Sequence, residues 1–421
     1  MYKNWKKATV LFLTGQAISL FGSALVHYAI IWYITLHTRS GAMMTVAIIC
    51  GSLPTFFISP FGGVWADRYN RKLLINIADG IIALSTLAMA LFFILHGKID
   101  LIWLLFLNLG IRALGTGVQT PAVNALIPQL VSAEEHLTRV NGINSSVNSL
   151  SSLLAPMLSG ALLSFSRIEY IFFIDVATAV IGIGIVFIFV HIPGETQSLR
   201  KKTTGTNSLS YFEDLKKGCR YVLDHGFVKR MFIFSVFFFL LITPGVFLTP
   251  LQIARKFGSE VWRLSVMEIL FSAGMILGGL LISIWGGFKN RVRTMALACF
   301  LFGCGDICLG LAPHYGIYIT VMAFSGMIVP FFNTPFTVLL QEKVESQFMG
   351  RVFSFQNMIS SIMMPLGMIV FGPLGDLVPI SRILVFCGSG TIILGGFLIG
   401  NRVLREGGEQ LELGRIDSTV Y

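Results

Sequence analysis

Long runs of apolar residues recur along the whole chain, and a short polar turn follows each of them. The runs are continuous, and each is long enough to cross the hydrocarbon core of a bilayer as a helix. We therefore predict an all-α membrane protein. Its twelve transmembrane helices are expected at residues 10–36, 42–66, 73–95, 101–127, 141–166, 170–191, 231–254, 262–286, 294–313, 315–340, 351–375 and 380–401.

One hydrophilic stretch interrupts this pattern and divides the predicted spans into two sets of six. Residues 192–230 are rich in Lys, Arg, Ser and Thr. We predict two six-helix bundles, residues 1–191 and 231–402. A cytoplasmic linker at 192–230 joins them, and a cytoplasmic tail follows at 403–421.

The two sets of spans also repeat each other. Trp65 precedes Arg71 by the same spacing with which Trp285 precedes Arg291. A Thr-Pro pair followed by an Arg-Val pair occurs in each half. Such similarity between six-span halves is typical of transporters that are built from parallel repeats.

Composition and charge agree with a bilayer as the main solvent. Of 421 residues, 54% are hydrophobic and only 12% are charged, and the mean hydropathy is +0.77. The net charge of +10 is also found in nucleic-acid-binding proteins, but most of the 31 Lys and Arg lie in alternate turns, the linker and the two ends. Because Lys and Arg resist translocation, we predict that these places and both termini are cytoplasmic, at the plasma (inner) membrane. We expect no nucleic acid as a partner.

The most informative polar segment is the turn after the second span, residues 63–72. Asp67 lies there at the C-terminal end of a helix, where the helix dipole disfavours an anion, so it requires a partner. Arg71, one turn further along, is one candidate. The N-terminal end of the eleventh span, at Arg351, is the other and would latch the two halves together. Alternatively, the cations of the turn only anchor the helix at the cytoplasmic side.

Ionisable residues also lie inside the predicted spans. Arg112 is near the middle of the fourth span, where a cation costs at least about 2.5 kcal/mol, so a functional role is the default expectation. The alternative is a structural arginine that is bonded to backbone carbonyls. An unpartnered buried acid can exchange protons near neutral pH, whereas a lone histidine in a membrane is more often a hydrogen-bonded structural residue. The buried titratable candidates are Asp79, which could instead support the turn at 63–72, and Asp175, Glu268, Asp306 and His27.

The turn at 63–72 resembles the loop motif of the major facilitator superfamily. Trp65 and Asn70 depart from the motif, although Asn tolerates the left-handed backbone that glycine serves there. The corresponding turn of the second half, residues 286–293, keeps cations but lacks the carboxylate. Nearly the whole chain is similar to the macrolide-efflux branch of that superfamily, most specifically at residues 111–116, 120–125, 271–275, 341–343 and 350–354. The residues that match the loop motif are Gly63, Asp67, Arg68, Arg71 and Lys72.

The resemblance implies the fold of that superfamily and several residue roles. An arginine in the fourth helix is linked to proton coupling in the superfamily, which points to Arg112. The eighth helix faces the central cavity there, so Glu268 is our first choice for the coupling acid. The sixth and ninth helices are peripheral, which favours structural bonding for Asp175 and Asp306. Residues 155–160 resemble the glycine-proline element of superfamily antiporters, with Ala and Ser replacing two glycines.

We therefore expect a secondary active transporter that exports an amphiphilic small molecule, such as a macrolide-like drug, by proton antiport with alternating access. The sequence has no ATP-binding P-loop, no metal-ligand pattern and no nucleophile–base pair, so we expect no cofactor, no metal and no enzymatic activity. The expected partners are the substrate, protons and the lipid bilayer, and we expect a monomer. The alternatives are a metabolite importer or facilitator of the same fold and a non-transporting membrane sensor. The aromatic residues at 232–247 either line a cavity or face lipid.

Overall fold

The computed structural model describes residues 5–96, 102–131, 134–189, 222 and 224–408. It contains twelve helical spans that are long and apolar enough to cross a membrane, which confirms the predicted all-α membrane class. We number the helices of these residues α1 (Trp5–Thr38), α2 (Gly41–Arg68), α3 (Arg71–His96), α4 (Ile102–Leu130), α5 (Glu134–Phe165), α6 (Ile168–Phe189), α7 (Gly226–Phe247), α8 (Thr249–Lys256), α9 (Val261–Trp285), α10 (Arg291–Leu311), α11 (Tyr315–Lys343), α12 (Ser346–Leu377), α13 (Ile380–Gly400) and α14 (Arg402–Gly407).

The seventh span is made of two helices, because α7 ends at Phe247 and α8 begins at Thr249. Pro244 lies in the last turn of α7, and Pro250, at the start of α8, has no backbone N–H to donate. The N–H of Leu248 still bonds to the carbonyl of Pro244 at 2.9 Å. The break is therefore local, within one crossing of the membrane.

By its contacts the chain forms two compact units. The first is Met1–Thr206 with Ile253–Glu268, and the second is Asn207–Gln252 with Ile269–Tyr421. Most of the predicted linker and tail lies outside the described residues. The predicted bundle boundaries at 191 and 231 therefore stay a prediction.

In the first unit, small residues allow the helices to pack closely. Helix α2 packs on α4, α1 packs on α6, and α3 packs on both α4 and α6. A methyl group added at Gly62 of α2 would lie 2.6 Å from the carbonyl oxygen of Gly117 in α4. Small residues at such crossings are typical of membrane proteins, since lipid provides no hydrophobic force between helices. Phe12, Leu126 and Ile127 are among the buried apolar side chains of this core.

The core of the second unit is aromatic. Phe234 and Phe238 of α7 are buried, and the Phe238 ring stacks on Phe332 of α11 with their centroids 4.0 Å apart. Phe336 continues the stack. For these aromatic residues of the seventh span both expectations, cavity lining and lipid contact, are wrong, because their rings pack inside the unit. Phe237 is 52% exposed and can contact lipid.

Two further helices of the second unit meet through glycines. A methyl group at Gly278 of α9 would overlap the carbonyl oxygen of Met327 in α11, and one at Gly326 of α11 would overlap that of Phe271. The neighbouring Gly279 has no atom within 4 Å of the position that a methyl group would take. The two adjacent glycines of α9 therefore differ in their surroundings but share a helical backbone.

We predict that Gly278→Ala destabilises the protein and that Gly279→Ala does not. Both changes raise helix propensity equally, but only the first forces a side chain against backbone, which typically costs about 1–3 kcal/mol. Thermal unfolding of the detergent-purified variants, followed by size-exclusion chromatography, measures the difference. Equal melting temperatures for the two variants would contradict the close approach of α9 and α11.

Candidate functional site

Arg112 of α4 forms a buried ion pair with Asp175 of α6. Its Nη1 lies 2.6 Å from Asp175 Oδ2, and the two side chains are 6% and 0% exposed. Arg112 also donates to the hydroxyl of Thr86 in α3 and, through Nη2 at 2.8 Å, to the backbone carbonyl of Ser23 in α1. One guanidinium therefore bonds to three other helices of the first unit.

The carboxylate of this pair is fully surrounded by donors. Besides Arg112, it accepts hydrogen bonds from Thr86 Oγ1 at 3.0 Å and from Ser23 Oγ at 3.2 Å. A buried charge is stable only when it is paired and hydrogen-bonded. Asp175 thus has the structural bonding that the sequence favoured. Arg112 bonds to a backbone carbonyl, as we expected for a structural arginine. It also pairs with an acid that the sequence did not identify as its partner.

Asp79 of α3 lies in a second polar network of the first unit. Its Oδ1 accepts from Ser19 Oγ at 2.9 Å and from Gln119 Nε2 at 2.8 Å, and all three residues are buried. Gln119 also contacts the amide oxygen of Gln16 at 3.4 Å. Asp79 Oδ2 has no hydrogen-bond partner among the described residues. The network lies along α1, α3 and α4, so the alternative role for Asp79 in supporting the turn at 63–72 is wrong.

Glu268 and His27 are partly buried, and neither forms a hydrogen bond or an ion pair with a described residue. Glu268 lies in α9 within electrostatic range of Tyr28 in α1. His27 faces Gly51 of α2, where a methyl group would lie 2.9 Å from its Cε1. The expectation that His27 is hydrogen-bonded is thus wrong for the described part of the chain. Glu268 has the unpaired carboxyl that a proton carrier requires.

The turn at 63–72 is held by cations that bind helix ends. Arg71 donates from Nε to the carbonyl of Ala66 at 2.8 Å and from Nη1 to that of Ala125 in α4 at 2.7 Å. Lys72 donates to the carbonyl of Phe187, near the end of α6, at 2.9 Å. Cations at helix C-termini complement the helix dipole. These two residues therefore tie α2, α4 and α6 together at one end of the first unit.

The other motif residues have different surroundings. Arg68 is exposed and bonds to no described residue, and Gly63 has open space where a side chain would stand. The backbone of Asn70 is not left-handed. Among the described residues, Arg39 is the one non-glycine residue with a positive φ. Instead, Asn70 Oδ1 accepts from the N–H of Leu73 and caps α3. The side chains of Asp67 and Arg351 lie outside the described residues, so their predicted contact stays a prediction.

The second half has a carboxylate at the corresponding place after all. Arg291, the counterpart of Arg71, forms a two-pronged ion pair with Glu342 of α11, with nitrogen–oxygen distances of 2.7 and 3.2 Å. The acid that is missing from the turn at 286–293 is thus supplied by another helix. A search for acids within the turn alone could not find it.

Polar stripes on α5 and α12 were missed by the sequence analysis. In each helix polar residues stand five, six, nine and ten positions after the arginine of the repeated Arg-Val pair. This spacing puts them on one helix face. Polar side chains inside the hydrocarbon need water or polar partners, so these faces should contact water. The α5 stripe is Asn144, Ser145, Asn148 and Ser149, and the α12 stripe is Gln356, Asn357, Ser360 and Ser361.

The spacing of these residues after Arg139 and Arg351 was the signal that could have revealed them. Ser145, Asn148 and Ser149 are exposed on α5, as are Asn357 and Ser361 on α12. Near the α5 stripe, the segment 155–160 has small residues at Ala155, Ser159 and Gly160. Ser265 Oγ would lie 2.5 Å from a methyl group at Gly160, so a larger residue does not fit there.

Asp306 of α10 is 7% exposed and has no hydrogen-bond or ion-pair partner among the described residues. The structural bonding expected for this acid is therefore not found in the part of the chain that the structure describes. The same residues include no group of three or more His, Cys, Asp or Glu side chains that could hold a metal ion.

Comparisons with known proteins agree with this architecture. The family model of the Major Facilitator Superfamily matches residues 12–368. The chain is 32% identical over 401 residues to Macrolide efflux protein A of Streptococcus pyogenes, which covers 93% of this chain and 95% of that protein. It is also 32% identical over 335 residues to Macrolide efflux protein A of Enterococcus faecalis, which covers 78% of this chain and 99% of that protein.

Solved structures are similar in fold at low sequence identity. The nucleoside transporter NupG superposes with a TM-score of 0.64 at 17% identity, over 94% of this chain and 98% of that chain. A D-xylose-proton symporter superposes with a TM-score of 0.65 at 12% identity, over 95% of this chain and 99% of that chain.

We predict that Asp175→Asn lowers stability by about 3–5 kcal/mol, because it leaves the Arg112 charge buried without a counter-charge. The double variant Arg112→Met/Asp175→Leu should recover much of this loss. Glu260→Gln, which removes an exposed ion pair with Arg263, is the matched control and should cost at most about 1 kcal/mol. Chemical denaturation in mixed micelles measures all three. An Asp175→Asn protein as stable as the control would contradict the importance of the pair.

We also predict that the α5 stripe contacts water. In a background in which the six native cysteines are replaced by alanine, Ser149→Cys should react with a charged, membrane-impermeant thiol reagent. Val180→Cys on α6 is the control, because Val180 is 62% exposed on an apolar helix and should be shielded by lipid. We expect its reaction to be at least about tenfold slower, since the reactive thiolate does not form in hydrocarbon. Equal rates would show that the α5 stripe does not face water.

Proposed function

Because the chain belongs to the major facilitator superfamily, a family of multi-pass membrane transporters, we propose that it exports a macrolide-like amphiphile in exchange for protons. The observation that carries the proposal is the similarity to Macrolide efflux protein A over nearly the whole chain. Proteins that share one fold can act on many different substrates, so the fold alone does not identify the substrate. This match covers 93% of this chain and 95% of that relative, so it is not confined to one part of the fold.

The α5 stripe supports an amphiphilic substrate. Ser145 and Ser149 border a shallow depression on α5, and Leu150 and Leu153 line the same depression. A macrolide-like molecule carries several hydroxyls on a large apolar ring. It would need hydrogen-bonding and apolar contacts close together, which is the usual composition of a small-molecule site.

Glu268 is the proposed proton carrier. Its carboxyl is partly buried and has no cation or hydrogen-bond donor among the described residues, so no partner has to be displaced when it gains or loses a proton. Arg112 and Asp175 form a closed pair that joins α4 to α6, and the same guanidinium also bonds to α1 and α3. We assign Arg112 a positioning role in coupling, through the helices that it holds.

The turn at 63–72 is the proposed cytoplasmic gate. Arg71 and Lys72 fix the ends of α2, α4 and α6, which leaves Asp67 as the residue of the motif to contact the start of the eleventh span at Arg351. Helix α12 begins at Ser346, so Arg351 lies in its second turn, where the guanidinium charge rather than the helix end would attract the carboxylate of Asp67. We propose that this contact forms in one state of the transport cycle and breaks in the other, with both chain termini in the cytoplasm.

The proposal is tested in drug-sensitive cells and in inverted membrane vesicles. Expression of the parent protein should raise the inhibitory concentration of macrolides at least fourfold. An inside-acid pH gradient should drive macrolide uptake into inverted vesicles. Glu268→Gln should abolish both effects, because the amide keeps the size of the side chain but cannot carry a proton.

Glu260→Gln is the matched control, since Glu260 lies at the same end of α9 but its charge is exposed and paired with Arg263. It should transport like the parent protein. Uptake that is insensitive to a protonophore, or that survives in Glu268→Gln, would overturn proton coupling through Glu268. Cells that become more sensitive to macrolides would overturn export and support an importer.

A further inference from the structure

The second unit contains a buried acid that the proposed mechanism does not use. Asp306 of α10 is buried, with only 7% of its surface exposed. It has no hydrogen-bond donor and no cation among the described residues. An anion in that position would have little water and no counter-charge from a described residue to stabilise it.

Two neighbouring helices approach the Asp306 side chain closely. A methyl group at Gly245 of α7 would lie 2.7 Å from Asp306 Oδ1, and one at Gly388 of α13 would lie 3.0 Å from Asp306 Cβ. Helices α10 and α13 are also closely packed one turn away. A methyl group at Gly310 would lie 2.6 Å from the carbonyl oxygen of Ser381. A proton is the one ligand of a carboxylate that needs no additional space.

The titratable side chains that face Asp306 come from two helices. Tyr318 of α11 and Cys387 of α13 lie within its electrostatic range. From α7 the facing residue is Gly245, which cannot titrate. The hydroxyl of Tyr318 donates to Gln252 Oε1 at 2.9 Å, and Gln252 Nε2 donates to the carbonyl of Leu309 at 3.2 Å. None of these polar groups gives a hydrogen bond to Asp306.

The internal repeat shows how this acid differs from its counterpart in the first unit. Thr86 follows Arg71 by the same number of residues by which Asp306 follows Arg291, so the two occupy the same position in α3 and α10. In the first unit Thr86 bonds to the Arg112–Asp175 pair. Helix α11, the counterpart of α4, contains no arginine. The second unit thus has an acid where the first has Thr86, and no described cation balances it.

We propose that Asp306 is a proton-binding site of the second unit. A proton from water converts the carboxylate to the neutral acid, and the site releases that proton to water when it opens. Gly245, which covers Asp306 Oδ1, is three residues before Leu248, where α7 and α8 separate. A change of angle at this break would uncover the carboxyl. The binding of a proton by Asp306 does not depend on the proposed function, but the use of that proton in coupling rests on it.

Infrared difference spectroscopy of the full chain in lipid nanodiscs tests the site directly. Spectra at acidic and alkaline pH should differ by the C=O stretching band of a buried protonated carboxyl. Asp306→Asn should remove this band, and Glu268→Gln should leave it in place. A difference spectrum of Asp306→Asn identical to the parent spectrum would overturn the proposal. So would a band that belongs to Asp306 but does not change at any pH, because such a group exchanges no proton.

Gly245→Ala provides a second variant in case Asp306→Asn does not fold. Its methyl group would press on Oδ1, so the Asp306 band should shift in frequency. Gly396→Ala in α13, where a methyl group meets no atom within 4 Å, should leave the band unchanged. An unshifted band in Gly245→Ala would place the titrating carboxyl elsewhere and overturn the assignment.

Proton movement in proteoliposomes separates this proposal from the proposed function. The number of protons exchanged per substrate should fall in Asp306→Asn, while substrate binding persists. If the parent protein exchanges no protons at all, the proposed antiport fails, yet the infrared band still decides whether Asp306 binds a proton. If antiport occurs and its stoichiometry is unchanged in Asp306→Asn, the role of this site in coupling is overturned.

Discussion

A charge placed in the hydrocarbon of a bilayer must find its partner inside the protein, and the arrangement of the first unit depends on this constraint. Arg112 meets it with Asp175 of α6, Thr86 of α3 and the Ser23 carbonyl of α1. Each bond restricts how one helix can rotate about its own axis, since all three partners must point at one guanidinium. The small residues between α1 and α6 and between α2 and α4 then set how closely the helices approach. The Arg112–Asp175 pair thus sets the orientation of the helices, and the small residues set the distance between them.

The two units answer the same constraint differently. The first balances Asp175 with Arg112 and adds hydroxyl donors, while the second has an aromatic core and an acid, Asp306, that no described cation balances. A parallel repeat that kept the helix pattern has therefore diverged in its internal chemistry. The polar stripes of α5 and α12 were retained at matching positions in both halves. These exposed polar positions thus follow the repeat more faithfully than the charges buried between helices.

Much of the fold could be predicted from sequence because long apolar runs rarely form anything except transmembrane helices. The burial of Arg112 and of the acids was predictable for the same reason. Their pairing was not, since Asp175 is far along the chain and the hydrophobic runs do not reveal which helix faces meet. The aromatic residues of α7 show the same limit, because a phenylalanine in a membrane span is equally compatible with lipid, cavity and core. Glu342 was missed since its partner Arg291 lies in a different part of the sequence.

The 63 residues that separate Arg112 from Asp175 along the chain have a consequence for biogenesis. A membrane protein is synthesised from its N-terminus, so α4 leaves the ribosome well before α6 exists. During that interval Arg112 lacks the carboxylate of Asp175, and α4 and α5 are the least apolar of the twelve spans. The insertion machinery, or water within it, must therefore shelter these helices until the sixth span arrives. The late partner makes α6 the element that allows the first half to leave the translocon.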